Sequence, residues 1–159
     1  MTDFEGLLRA LTSAGVEFVL IGGVAARAHG SARLTQDLDI VYWRTPENID
    51  RLATALAPIA PYLRGAPAGL PFRLDAATLT RGLNFTLTTT LGDLDLFGEV
   101  TGAGGYEELV GDTAELTLFG MRCRCLSLER LIAVKRAVGR PRDLEVIAEL
   151  EALKEERDR

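Results

Sequence analysis

Residues Phe18–Val41, FVLIGGVAARAHGSARLTQDLDIV, constrain this chain more than any other stretch. One apolar run enters at Phe18 and stops at Gly22-Gly23. A second begins at residue 37 and carries aspartates at its first and third positions. Residues i and i+2 of an extended segment point to the same face. Asp37 and Asp39 therefore stand side by side, while Leu38, Ile40 and Val41 suit a buried strand. Two adjacent carboxylates repel, and packing does not ask for them there; such a strand is suited to holding a cation. The glycine pair falls where a strand turns into a short helix, predicted over 24–29, whose first N–H groups face back toward the turn and attract anions.

The remaining chain reads as helices and strands arranged around this stretch. Phe4, Leu7, Leu8 and Leu11 recur at helical spacing over 3–14, with Thr2 or Asp3 as cap and Gly15 as stop. Residues 16–21 predict a strand buried on both faces, and 37–42 a second. Thr45-Pro46-Glu47 opens the next helix. Residues 58–71, rich in Pro, Gly and Ala, predict a loop of unknown role. Asp75 caps one or two helical turns ending at Gly82. Residues 83–90 and 93–97 predict one antiparallel hairpin, 115–119 and 121–126 another. Ser127 caps a helix to Val138, Gly139 closes it, and a last helix runs over about 142–156, with Asp143 as a first-turn capping acid. The fold class expected is α/β (α+β): a mixed sheet flanked by helices with a C-terminal helical pair. The chain of 159 residues suits a single domain, its core over about 16–126 and its closing helices over about 127–157.

Glycines at a strand-to-helix turn let a phosphate approach the backbone, and two carboxylates on the neighbouring strand can hold a divalent metal against that phosphate. This is the layout of metal-assisted phosphoryl or nucleotidyl transfer. A second constellation is basic. Between residues 122 and 142 stand Arg122, Arg124, Arg130, Lys135, Arg136, Arg140 and Arg142, against Glu129 alone. Lys135 falls within the apolar stripe of Leu128, Leu131, Ile132 and Val138, so it meets an anion, snorkels, or pairs with Asp143. In the loop before the aspartates, Arg33 is either a phosphate ligand or a surface arginine, and Ser31 either binds a phosphate or caps a turn. His29, the only histidine, reads as structural.

The glycine pair, the thirteen residues 24–36 and the D-L-D-I segment resemble the signature of the nucleotidyltransferase superfamily of the DNA polymerase beta type. The wider run GGVAARAHGSARLTQDLDI, with R-P-R-D near the C-terminus, is similar to small bacterial nucleotidyltransferase-like proteins, among them toxin components of abortive-infection systems. The resemblance implies an NTP substrate, Mg²⁺, and transfer of a nucleoside monophosphate with release of pyrophosphate. It implies a third carboxylate on a later strand. Gly92-Asp93-Leu94-Asp95 offers two; Asp95 lies inside the strand, whereas Asp93 is a turn residue or a supporting partner. Asp37, Asp39 and Asp95 would then be the catalytic metal ligands, with Gly22, Gly23, Ser31, Arg33 and Lys135 on the nucleotide phosphates.

The acceptor stays open between tRNA or another RNA, a protein side chain and a small molecule. The basic stretch favours nucleic acid; the net charge of −5 counts against a large RNA-binding surface. A toxin–antitoxin or phage-defence setting would make the acceptor RNA or a partner protein. The alternative is a non-catalytic NTP-binding module, regulatory or antitoxin-like, that acts through a partner protein. No run reaches the roughly 20 apolar residues of a membrane span, and the acidic start MTDFEG lacks a basic signal region. With Cys123 and Cys125 read as core thiols, the expected compartment is the cytoplasm.

Overall fold

The computed structural model describes residues 1–159. Its elements, in chain order, are α1 (Phe4–Ser13), β1 (Phe18–Ile21), α2 (Gly22–Ala28), β2 (Asp37–Tyr42), α3 (Pro46–Leu56), β3 (Tyr62–Leu63), α4 (Ala76–Arg81), β4 (Phe85–Thr89), β5 (Gly92–Phe97), α5 (Tyr106–Leu109), β6 (Thr113–Leu118), β7 (Met121–Leu126), α6 (Leu128–Val138) and α7 (Leu144–Arg157). All seven strands form one mixed sheet in the order β3-β4-β5-β2-β1-β7-β6. β2 runs antiparallel to β1 and parallel to β5. The two hairpins, β4–β5 and β6–β7, are antiparallel.

β1 is buried along its whole length, and in β2 Leu38 and Ile40 are fully buried while Asp37 and Asp39 are not. Each such apolar side chain contributes ~1.5–3 kcal/mol when fully buried, which holds β2 in the sheet with its aspartates on the other face. Thirty-five buried apolar residues join in one continuous cluster, so the helices at both ends of the sheet share a core. On one side α1 packs on α3 and α3 on α4; on another α2 meets α6, and α6 lies along α7. The capping residues act as their types suggest. Asp3 accepts from Gly6 N, Thr45 from Asn48 N, Asp75 from Thr78 N and Ser127 from Arg130 N, each worth ~1 kcal/mol. Gly139 closes α6 at φ 69°. Cys123 and Cys125 are buried free thiols.

Three local expectations are corrected. The second helix begins at Gly22 rather than at residue 24, so the glycines form its first turn. Segment 58–71 is not wholly a loop: it contains β3, which pairs with β4 at the sheet edge. Asp143 does not cap the last helix. A 3₁₀ turn (Pro141–Asp143) precedes α7, whose start has no side-chain cap hydrogen bond, because the buried Asp143 carboxylate is occupied by Arg140 and Lys135.

Candidate functional site

The parallel register of β2 and β5 sets Asp39 opposite Asp95 and Asp37 opposite Asp93. One oxygen from each of Asp37, Asp39 and Asp95 lies within 4.8 Å of the others. Two ionised carboxylates at that separation repel by roughly 3–4 kcal/mol at an effective dielectric of about 20. That exceeds what a helix cap returns, so the cluster is not there for stability. Burial, then the Asp95 carboxylate and then Asp37 push Asp39 up to about 8, against the opposing charge of Lys135. Asp37 is also raised, by burial and Asp95, with Arg64 opposing. Asp39 Oδ1 is buried with no hydrogen-bond partner. An orphan carboxylate oxygen beside two other carboxylates is a hard-oxygen donor set, and it fits a divalent cation such as Mg²⁺.

The glycine turn is fitted to this cluster. Gly22 has φ 67°, and a Cβ there would collide with Asp39 Oδ2; a Cβ on Gly23 would come within 2.7 Å of the Thr35 side chain. The glycines thus admit a carboxylate and a threonine as neighbours, a requirement additional to the room for a phosphate expected from sequence. Beside them opens a cavity of about 520 Å³, lined by Gly22, Gly23 and Asp39 together with Ser31, Arg33 and Lys135. Much of its remaining wall is apolar, supplied by α6 and α7 through residues such as Leu131, Val134 and Leu150.

Ser31, Arg33 and Lys135 all face this cavity already paired. Ser31 Oγ donates to Glu149, and Arg33 Nε donates to the same carboxylate at 2.6 Å. The Ser31 hydrogen bond, followed by that of Arg33, holds Glu149 below the usual carboxylate range. The loop over 30–36 is thereby tied to α7. Lys135 Nζ stands 3.5 Å from Asp143 Oδ1, the ion pair allowed for in the sequence, while Arg140 Nε holds the other oxygen at 2.9 Å. His29 Nε2 lies 2.9 Å from the Leu126 carbonyl, a structural contact.

The structure adds a residue the sequence did not single out. Arg64, just beyond β3, brings its guanidinium to Asp95 at 2.7 Å, Asp93 at 3.5 Å and Asp37 at 3.8 Å. Asp93 is thus an ion-pair partner beside the triad. The basic stretch also changes character in space. Arg122 pairs with Glu115, Arg124 with Glu17, Arg130 with Asp112, Arg136 with Glu151, and Lys135 and Arg140 with Asp143. Only Arg142 of that run has no such partner, so the stretch is not a bare cationic patch. No helix is long and apolar enough to cross a membrane.

No family model matches the chain, and no curated protein matches it. Solved structures do. The lincosamide antibiotic adenylyltransferase LnuA, determined with lincomycin bound, is 17% identical over 96% of this chain and 98% of its own, with a TM-score of 0.62. The antibiotic-resistance factor ANT(2'')-Ia is 17% identical over 94% of this chain and 79% of its own, at 0.60, and has also been solved with adenylyl-2''-tobramycin. TM1012 of Thermotoga maritima is 16% identical over 91% and 88%, at 0.57. The mixed sheet, its helices and these likenesses agree: the chain has the nucleotidyltransferase fold.

Proposed function

We propose that this protein is a Mg²⁺-dependent nucleotidyltransferase that moves a nucleoside monophosphate from an NTP to an acceptor hydroxyl. One observation carries the reading: the β2–β5 register gathers Asp37, Asp39 and Asp95, with Asp39 Oδ1 left unpartnered, against the Gly22-Gly23 turn. These three carboxylates would hold the cation, two ions in the family's manner, whose chemistry is to polarise the phosphoryl group and stabilise the attacking and leaving oxygens. Asp95 accepts the proton of the acceptor hydroxyl as its oxygen bonds to the α-phosphorus. The bond from the α-phosphorus to the bridging oxygen breaks, and pyrophosphate leaves. Gly22 and Gly23 leave backbone room for the phosphates. Ser31, Arg33 and Lys135 turn from Glu149 and Asp143 toward the phosphate oxygens, which Lys135 and Arg33 meet as cations.

For the acceptor, the ion pairing along residues 122–140 counts against RNA, since those cations already have carboxylate partners. LnuA and ANT(2'')-Ia favour a small hydroxyl compound, because the former is named for a lincosamide and the latter was solved with an adenylylated aminoglycoside. A toxin–antitoxin setting would instead supply a partner protein. The test is to incubate the protein with Mg²⁺ and each labelled NTP, in parallel with tRNA, cell lysate, lincomycin and tobramycin, beside an Asp39→Ala control. Label on one class of molecule, absent from the control, identifies the acceptor. No transfer by the wild type, together with no Mg²⁺–NTP binding by calorimetry, contradicts the reading.

A further inference from the structure

Arg64 is the one cation within ion-pair distance of the carboxylate cluster. It is held there from its own side of the sheet. Its backbone N–H donates to Thr86 O, and its NH2 group donates both to Leu87 O and to Asp95 Oδ1, each at 2.7 Å. The guanidinium touches Asp95, Asp93 and Asp37 but makes no ion pair with Asp39, whereas the Gly22 turn lies against Asp39. Arg64 and the glycine turn therefore flank the cluster from opposite sides, Arg64 toward β3–β4 and the turn toward β1. The side chain is only 27% exposed, so the guanidinium is fixed against the carboxylates by packing as well as by charge.

We propose that Arg64 is the counter-ion of the cluster while no divalent cation is bound, and that it competes with that cation for Asp95, setting how tightly the site binds it. The inference rests on the reading of Asp37, Asp39 and Asp95 as cation ligands. Four aspartates on one face need a positive charge in the free protein, and Arg64 supplies one. A divalent cation coordinated by Asp95 would stand within a few ångströms of the guanidinium, too close for two cations to share that oxygen. Entry of the cation thus requires Arg64 to give up its shortest ion pair. Leu87 O remains as a partner for the displaced group, and its extra N–H donors turn to solvent or to an incoming anion.

The experiment measures Mn²⁺ affinity directly, by the loss of the free-ion electron paramagnetic resonance signal, without nucleotide. It compares wild type, Arg64→Gln, Arg64→Lys and Asp39→Asn, with circular dichroism to establish that each is folded. Arg64→Gln keeps a donor for Leu87 O and removes the charge; it should bind Mn²⁺ on the order of tenfold more tightly, the size of one lost charge-assisted hydrogen bond. Arg64→Lys keeps the charge and should stay close to wild type. A purely structural arginine would lower the melting temperature in both variants and leave the affinity unmoved. Equal or weaker Mn²⁺ binding by Arg64→Gln overturns the competition, while loss of binding in Asp39→Asn keeps the triad as the cation site. Unaltered binding in Asp39→Asn overturns the triad reading and the competition together. Should Arg64→Gln not fold, Arg64→Met, which removes the charge and keeps an unbranched side chain, decides: Mn²⁺ binding on the order of tenfold tighter than wild type is expected, and equal or weaker binding overturns the proposal.

Discussion

Asp39 and Asp143 are both withdrawn from solvent, and the chain treats them in opposite ways. Asp143 lies at the joint between α6 and α7, with Arg140 donating to both of its oxygens and Lys135 to Oδ1. The Arg140 hydrogen bond and then the charge of Lys135 hold it below the ordinary carboxylate range. Asp39 lies on β2 with one oxygen buried and unpartnered, beside two further carboxylates, and is pushed up to about 8. A buried acid whose partners come from its own chain belongs to the structure. One left without them, at a cost to folding, marks a place where the partner comes from outside.

The contrast is broken most severely by exchanging the two acids for amides. Asp39→Asn should lower the transfer rate by at least about 10³-fold, the several kcal/mol expected of a lost metal ligand. Asp143→Asn should instead lower the melting temperature by several degrees and change kcat/KM by less than about tenfold. Radiolabel transfer and thermal unfolding, measured on both variants, separate the two roles. Next in size is Gly22→Ala. At φ 67° an alanine costs about 1–2 kcal/mol, and its Cβ collides with Asp39, so this variant should lose both stability and transfer. Denaturant unfolding beside the transfer assay checks this. Lys135 stands between the two regions, opposing the rise of Asp39 and pairing with Asp143. Lys135→Ala should raise the KM for NTP about tenfold with a smaller change in kcat. An unaltered KM would leave Lys135 as the anchor of Asp143 alone.

The carboxylate half of this picture was legible in the sequence. Period two put Asp37 and Asp39 on one face, and the apolar neighbours of Asp95 placed it inside a strand. The parallel pairing of β2 with β5, which brings the three together, is a long-range choice that no local pattern encodes. Arg64 was not legible. It follows a strand of only two residues in a segment rich in Pro, Gly and Ala, where no periodicity points to a face. The sole hint was charge balance: aspartates gathered on one face need a cation. Of the two readings of Asp143, the ion pair with Lys135 holds and the cap does not: its position before a helix suggests a cap, while its partners lie three and eight residues back on the preceding turn and helix. The ion pairing of the basic run was hidden for a related reason. Density along the chain is not density in space, and its cations meet acids from α7, β6 and the β1 approach.

Thermal unfolding of wild type and Asp39→Asn, with and without Mg²⁺, near pH 5 and near pH 8, shows whether the β2–β5 cluster holds a divalent cation. In the unfolded chain Asp39 titrates at its ordinary 3.8, and in the fold at about 8. Between those values the folded protein binds a proton that the unfolded chain has released. The contribution of Asp39 to stability therefore falls as pH rises, by about 1.4 kcal/mol per pH unit, and levels off above about 8. Metal-free Asp39→Asn should thus be more stable than the wild type, by more near pH 8 than near pH 5. Mg²⁺ should raise the melting temperature of the wild type, most near pH 8, and leave that of Asp39→Asn unmoved. A wild type indifferent to Mg²⁺, or an Asp39→Asn variant that responds equally, would show that the cluster does not hold the cation.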